Sequence, residues 1–202
     1  MLIIGTGGLA LQMIDEFEMA FEKQLVFWNN SDIERNVITQ KYRVLKTDEE
    51  VDAYFKEVGP QYIVAVGDVF NREKLFLHFN GLGGQICTFI ARSATISQYC
   101  TIEEGALVGS NVTIEAGVNV GKGSLINTNA TVTHECSIGI FNEIAPMATL
   151  GGKVVTGNFV FIGLNATILP KIRIGNHCII GAGSVVTKPV GDGSRIKGVP
   201  AK

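Results

Sequence analysis

Large aliphatic residues recur every six positions along the second half of the chain: Ile90, Ile96, Ile102, Val108, Ile114, Val120, Ile126, Val132, Ile138, Ile144, Leu150, Thr156, Ile162, Ile168, Ile174, Ile180 and Val186. Thr156 alone breaks the column. At the overall hydrophobic content of 46%, chance would give such a column with a probability on the order of 10⁻⁵, so the period is structural. Two places earlier runs a second, mostly small column through Ala94, Cys100, Ala106, Val112, Val118, Ser124, Ala130, Cys136, Ala148, Ala166, Cys178 and Ser184, with Asn142 and Ile172 as departures. Glycine follows the aliphatic residue at Gly109, Gly121, Gly139, Gly151, Gly157, Gly163, Gly175 and Gly181. A six-residue repeat of this kind predicts a parallel β-helix, in which each short strand turns one aliphatic side chain inward and small residues occupy the corners. Three hexapeptides close a triangular coil of about 18 residues, which gives roughly five coils stacked about 4.8 Å apart.

The first part of the chain has a different pattern. Met1-Leu2-Ile3-Ile4 reads as a buried strand, Gly5-Thr6-Gly7-Gly8 as a turn, and the apolar spacing from Leu9 to about Ala20 as a helix. A second strand, Leu25–Trp28, ends at Asn29-Asn30. Thr47-Asp48-Glu49-Glu50 has the form of a capping box for a helix running to about Glu57. Tyr62–Val66 is a third strand, and Gly67-Asp68 leads into a helix carrying Arg72. Strands alternating with helices predict a small Rossmann-like α/β domain over residues 1–85, followed by the β-helix over 86–202. The ligand edge of such a domain lies where its strands end, at Gly5 to Leu9, Asn29-Asn30 and Gly67-Asp68. A glycine turn opening a helix offers N–H groups to a phosphate; with no ligand it only packs helix on strand. The short domain, and Asn29-Asn30 in place of an acidic residue, suit a nucleotide diphosphate better than a dinucleotide.

Charge and composition narrow the functions. The chain of 202 residues has 17 basic and 19 acidic residues, net −2, and lacks a basic field for nucleic acid or an anionic membrane surface. Its apolar runs fall short of the roughly 20 residues of a membrane span, which points to a cytoplasmic protein. Cys87, Cys100, Cys136 and Cys178 show no CxxC pairing; three of them sit in the small column and read as core fillers. No metal is expected, since three histidines, His78, His134 and His177, are too few on the solenoid for a three-histidine zinc site.

An interior filled with aliphatics leaves chemistry to corners and outward residues, between neighbouring subunits. His78 reads as a surface residue and His177, in Gly175-Asn176-His177-Cys178, as a turn residue. His134 follows the inward Val132 by two residues and stands beside Glu135 at a corner, where an imidazole can act as a base near neutral pH; the alternative is a solvated His–Glu pair. One coil of about 18 residues further lies Gly152, whose N–H could donate to a developing oxyanion.

The motifs Ile3-Ile4-Gly5-Thr6-Gly7-Gly8, Val66-Gly67-Asp68 with Arg72, Ile126-Asn127-Thr128 through Val132-Thr133-His134-Glu135, and Asn165-Ala166-Thr167-Ile168-Leu169-Pro170 together resemble the sialic acid and nucleotide-amino-sugar acetyltransferases. The ending Gly181-Ala182-Gly183-Ser184-Val185-Val186-Thr187-Lys188 and Gly198-Val199-Pro200-Ala201 fits the same family. The resemblance implies a left-handed winding of the β-helix, a homotrimer with active sites between subunits, and acetyl-CoA as co-substrate. The acceptor would be a nucleotide-linked amino sugar of the UDP-4-amino-sugar type, acetylated on its amine for bacterial glycan biosynthesis. Alternatives are O-acetylation of a sugar of the sialic acid kind, and a non-catalytic trimeric nucleotide-sugar-binding scaffold. By the same resemblance His134 is the general base, Glu135 and Asn127 orient it, and the Gly152 amide steadies the oxyanion. The coenzyme would touch Glu143, Leu164, Ala182, Lys188, Val199 and Pro200. The nucleotide sugar would touch Gly7, Gly8, Leu9, Asn29, Asn30, Gly67 and Asp68. Leu9 stands where many relatives have histidine, as does Glu143.

Overall fold

The structure is a computed structural model that describes residues 1–22, 24–31 and 35–202. It divides into two compact units, Met1–Thr88 and Phe89–Lys202.

In the first unit the elements run β1 (Leu2–Ile4), α1 (Gly8–Gln12), α2 (Ile14–Ala20), β2 (Val26–Trp28), α3 (Val37–Lys41), β3 (Val44–Leu45), α4 (Asp48–Glu57), β4 (Gln61–Val64), α5 (Val69–Gly81) and β5 (Gln85–Ile86). The strands form one parallel sheet in the order β3-β2-β1-β4-β5. Leu2, Ile3 and Ile4 are wholly buried, as the central strand of a parallel sheet covered on both faces requires. Gly5 ends β1 with φ +109°, and a Cβ there would lie 2.9 Å from the Ala65 carbonyl oxygen, so only glycine fits the turn.

The helix read as continuous from Leu9 to Ala20 is two helices, because Met13 leaves helical geometry at φ −103°, ψ 3°. The box at Thr47 forms as its sequence predicts: the Thr47 side chain accepts from the Glu50 N–H at 3.3 Å, and the Glu50 carboxylate accepts from the Thr47 N–H at 3.2 Å. Asn36 and Thr39 make a second such box at the start of α3. That helix, β3 and β5 are too short to leave a period and were not foreseen.

The second unit is a parallel β-helix of two-residue strands in three sheets of six, five and seven strands. Strands pair with the strand one coil on, as in Thr113↔Thr131↔Thr149↔Thr167↔Val185. The aliphatic column fills the interior from Val108 to Val186, where every aliphatic member is at most 3% exposed. Ile90, in the first strand, is 41% exposed, since an end coil has a neighbour on one side only. Beyond Val186 the spacing shortens: Ile179 pairs with Arg195 and Ile174 with Val190. The last coil therefore contains two residues fewer, and the column ends there. Cys136 and Cys178 are buried in the small column, with burial pushing the Cys136 thiol up; Cys100 is half-buried, and all four cysteines are free.

Candidate active site

At one corner of the β-helix the chain turns into the left-handed region once per coil, at Glu135, Lys153 and Lys171, with φ of 59°, 64° and 66°. The residue before each turn forms a column of its own: His134, Gly152 and Pro170. Backbone hydrogen bonds tie one coil to the next, Lys153 N–H to His134 O at 3.0 Å and Lys171 N–H to Gly152 O at 2.9 Å. The His134 ring lies against the Gly152 backbone: a Cβ on Gly152 would be 2.5 Å from both Cε1 and Nε2 of the ring. Only glycine at this position leaves the ring where it lies. Among the described residues no group accepts a hydrogen bond from the Gly152 N–H.

His134 is fixed by two carboxylates. Its backbone N–H donates to Glu115 Oε2 at 2.8 Å, from the preceding coil. Its Nδ1 lies 3.1 Å from Glu135 Oε2, and both side chains are more than half exposed. If Nδ1 carries the proton in that bond, Nε2 presents its lone pair. The hydrogen bond from His134, and then the charge of Lys153 at 3.5 Å, hold the Glu135 carboxyl below the ordinary glutamate range. Asn127 stands one strand earlier and is 5% exposed; its side-chain oxygen accepts the Thr128 N–H at 2.8 Å, whereas the bonds of His134 go to Glu115 and Glu135. The structure therefore brings together His134, Glu135 and Gly152 and sets Asn127 apart from them.

The residues expected along a coenzyme divide between two corners. Leu164 is 53% exposed, and Ala182 follows one coil later: Gly183 N–H donates to Leu164 O at 2.8 Å, and a Cβ on Gly163 would lie 2.7 Å from the Ala182 nitrogen. The exposed Val199 and Pro200 belong to the terminal turns. Glu143 lies in a strand between Leu125 and Phe161 of the neighbouring coils. Lys188, by contrast, continues the His134 column, two residues beyond Val186.

In the first unit the ends of β1 and β2 and the start of α5 enclose a cleft of about 480 Å³. Thr6, Gly7, Asn29 and Asn30, from the predicted ligand edge, line it, together with Ser31, Trp28, Asn71 and Lys74, which sequence reasoning had not singled out. Asn29 is locked in place: its Nδ2 donates to Thr6 Oγ1 at 2.6 Å, and its Oδ1 accepts from the Ser31 N–H and hydroxyl at 3.0 and 2.8 Å. Gly7 caps α1, which begins at Gly8 and Leu9. Gly67 offers its carbonyl to the buried Arg72, whose Nη1 also donates to Val66 O at 2.9 Å. The Asp68 side chain accepts the Asn71 N–H at 2.8 Å and so caps α5, which carries Asn71 and Lys74 to the cleft. Asn71 and Lys74 are one helical turn apart, a spacing that could have flagged them as one face.

A parallel β-helix of six-residue rungs, with a carboxylate-bound histidine lying over a glycine backbone, is the architecture of a hexapeptide acyltransferase. Residues 153–188 match the family model for the bacterial transferase hexapeptide (six repeats), and residues 99–134 that for the hexapeptide repeat of succinyl-transferase. A structure of a histidine-to-alanine mutant of GDP-perosamine N-acetyl transferase from Caulobacter crescentus, in complex with CoA and GDP-perosamine, is 30% identical to the chain. It matches 100% of this chain and 94% of its own, with a TM-score of 0.91. The acetyltransferase domain of PglB from Neisseria gonorrhoeae, in complex with acetyl coenzyme A, is 26% identical over 100% and 97% of the two chains, with a TM-score of 0.89. WeeI from Acinetobacter baumannii is 25% identical over 100% and 97%, also with a TM-score of 0.89. No curated protein sequence matches. The chain belongs to the sialic acid and nucleotide-amino-sugar acetyltransferases of the hexapeptide-repeat class.

Proposed function

We propose that the protein transfers the acetyl group of acetyl-CoA to the amine of a nucleotide-linked amino sugar, with His134 as general base. The single observation that carries the reading is the whole-length likeness, at 30% identity, to an N-acetyl transferase held in complex with CoA and GDP-perosamine. The His134–Gly152 corner supports it by supplying the two groups that such a transfer needs. The amine nitrogen attacks the thioester carbonyl, its proton passes to His134, and the oxygen gains negative charge beside the Gly152 N–H. As the carbon–sulfur bond breaks, coenzyme A leaves as the thiol, taking up a proton. Glu135 holds the ring's tautomer, and Asn127 shapes the neighbouring turn.

The first unit serves as a Rossmann-like nucleotide-binding domain. Gly7, Asn29 and Asn30, which line the cleft, together with Gly8, Leu9, Gly67 and Asp68 next to its lining in sequence, hold the nucleotide sugar, and Lys74 gives the cleft a cation for the diphosphate. Residues 1–85 thus hold the acceptor and 86–202 perform the transfer. The coenzyme runs past Glu143, Leu164, Ala182, Lys188, Val199 and Pro200. That Leu164 and Ala182 lie on one corner and Lys188 on another supports a homotrimer in which each site is completed by a neighbouring copy. The winding is left-handed, as in its relatives. No described helix is long and apolar enough to cross a membrane, and four free cysteines suit the cytoplasm, where acetyl-CoA is supplied.

The test is thiol release from acetyl-CoA with a panel of UDP-, GDP- and dTDP-linked 3-amino and 4-amino sugars, with sialic acid as a hydroxyl acceptor. Turnover with one nucleotide amino sugar is expected. Coenzyme binding without thiol release from any amine would overturn the reading.

A further inference from the structure

One oxygen of Glu135 serves two nitrogens. Oε2 lies 3.1 Å from His134 Nδ1 and 3.5 Å from Lys153 Nζ. We propose that Lys153 is a positioning residue for the general base, acting through Glu135, and this rests on the reading of His134 as that base. The β-helix winding produces the arrangement: Lys153 follows Gly152, and its N–H donates to the His134 carbonyl at 3.0 Å, which sets its side chain one coil beyond the His–Glu pair. All three side chains are at least half exposed, so the ion pair adds little to stability and its consequence is local.

That consequence follows from the charges around His134. Glu115 reaches its backbone N–H from the preceding coil, Glu135 meets the ring from the same turn and Lys153 reaches Glu135 from the following coil, with Lys171 one coil further on the same corner. Glu135 is the carboxylate on the imidazole, and the ammonium of Lys153, on the same Glu135 oxygen, offsets part of its charge. It also anchors Glu135, so that the carboxylate keeps Nδ1–H engaged and Nε2 stays open to accept the acceptor's proton. Without Lys153 the ring loses a neighbouring positive charge and Glu135 loses its anchor.

The experiment compares Lys153→Met, Lys153→Glu and Lys153→Arg with the parent enzyme by pH–rate profile and by NMR titration of the His134 ring. With only three histidines in the chain, His134→Ala assigns the signal. Lys153→Met should move the ring's titration midpoint and the acid limb of kcat/KM upward by about half a pH unit, and Lys153→Glu further. It should lower kcat near neutrality several-fold with the KM for acetyl-CoA unchanged, and Lys153→Arg should restore the parent profile. Superimposable profiles and titrations for parent, Met and Glu forms of a His134-dependent enzyme would overturn the role of Lys153 alone. Parent-like turnover in His134→Ala would overturn the base reading, and the proposal with it.

Discussion

The Asn142 side chain donates to the Thr156 hydroxyl across 2.7 Å inside the β-helix, so the polar residue that breaks the aliphatic column and the one that breaks the small column are partners. Asn142 is fully buried and Thr156 4% exposed. Their neighbours complete the set: Asn142 Nδ2 also donates to Gly157 O at 2.8 Å, Asn142 Oδ1 accepts the Val160 N–H at 2.7 Å, and the Ser124 hydroxyl accepts the Asn142 N–H at 3.0 Å. A buried polar group costs little when its hydrogen bonds are made and much when one is removed.

Thr156→Val keeps the volume but deletes the acceptor for Asn142 and for the Gly139 N–H, which now bonds Thr156 Oγ1 at 3.2 Å. It should lower stability by about 1–3 kcal/mol in chemical denaturation. Combined with Asn142→Ala, the loss should fall short of the sum of the single losses by roughly 0.5–3 kcal/mol, because each variant removes the same bond. Parent-like stability of Thr156→Val would show that the interior tolerates the missing hydroxyl.

The β-helix was legible because its interior repeats: one inward aliphatic per strand leaves a column that survives a single threonine. Even Asn142 and Thr156 were visible as exceptions, though nothing in a linear period says that residues fourteen apart will meet. The 18-residue coil arithmetic put Gly152 over His134, and applied to Glu135 it would have reached Lys153 as well; Glu115, nineteen residues before His134, falls outside it. The first unit was less legible. Its cleft depends on how sheet order brings Thr6, Asn29 and Lys74 together from three separate elements, and α3, β3 and β5 are shorter than any period that could announce them.

Gly152→Ala tests the corner itself. A methyl group there would stand 2.5 Å from the His134 ring, and the exposed ring would give way rather than the backbone. The fold should therefore persist, with an unchanged melting temperature, while kcat falls by about 10²-fold, as for a base displaced by roughly an ångström. His134→Ala should cost about 10²–10⁴-fold in kcat with coenzyme binding retained. Full turnover in either variant would remove this corner from the mechanism.

A pH dependence of stability follows from the capping box of α4. The N–H groups of Lys46 and Thr47 donate to Glu50 at 2.6 and 3.2 Å and hold its carboxyl below the ordinary glutamate range. A depressed folded value means that the contribution is complete above the unfolded-state value and is lost as pH falls through the folded one. Glu50→Gln keeps an acceptor oxygen but does not titrate there. Its melting temperature should fall less steeply than that of the parent between about pH 5 and pH 3; parallel curves would assign the acid sensitivity to other carboxylates.

Lys74 separates the two substrates kinetically. It shares the cleft with Asn71 one helical turn away and faces the glycine turn at Gly5 to Gly7, where a diphosphate would meet backbone N–H groups on one side and the ammonium on the other. A charge-assisted hydrogen bond is worth about 1.5–3 kcal/mol, which corresponds to roughly 10- to 100-fold in affinity. Lys74→Ala should therefore raise the KM for the nucleotide sugar by that factor and leave the KM for acetyl-CoA where it was. A lysine that acts only in holding the acceptor's phosphates leaves kcat at saturating acceptor unchanged. If both KM values rose together, the cleft would be supporting the fold rather than selecting the acceptor. If neither moved, the phosphates would be bound elsewhere.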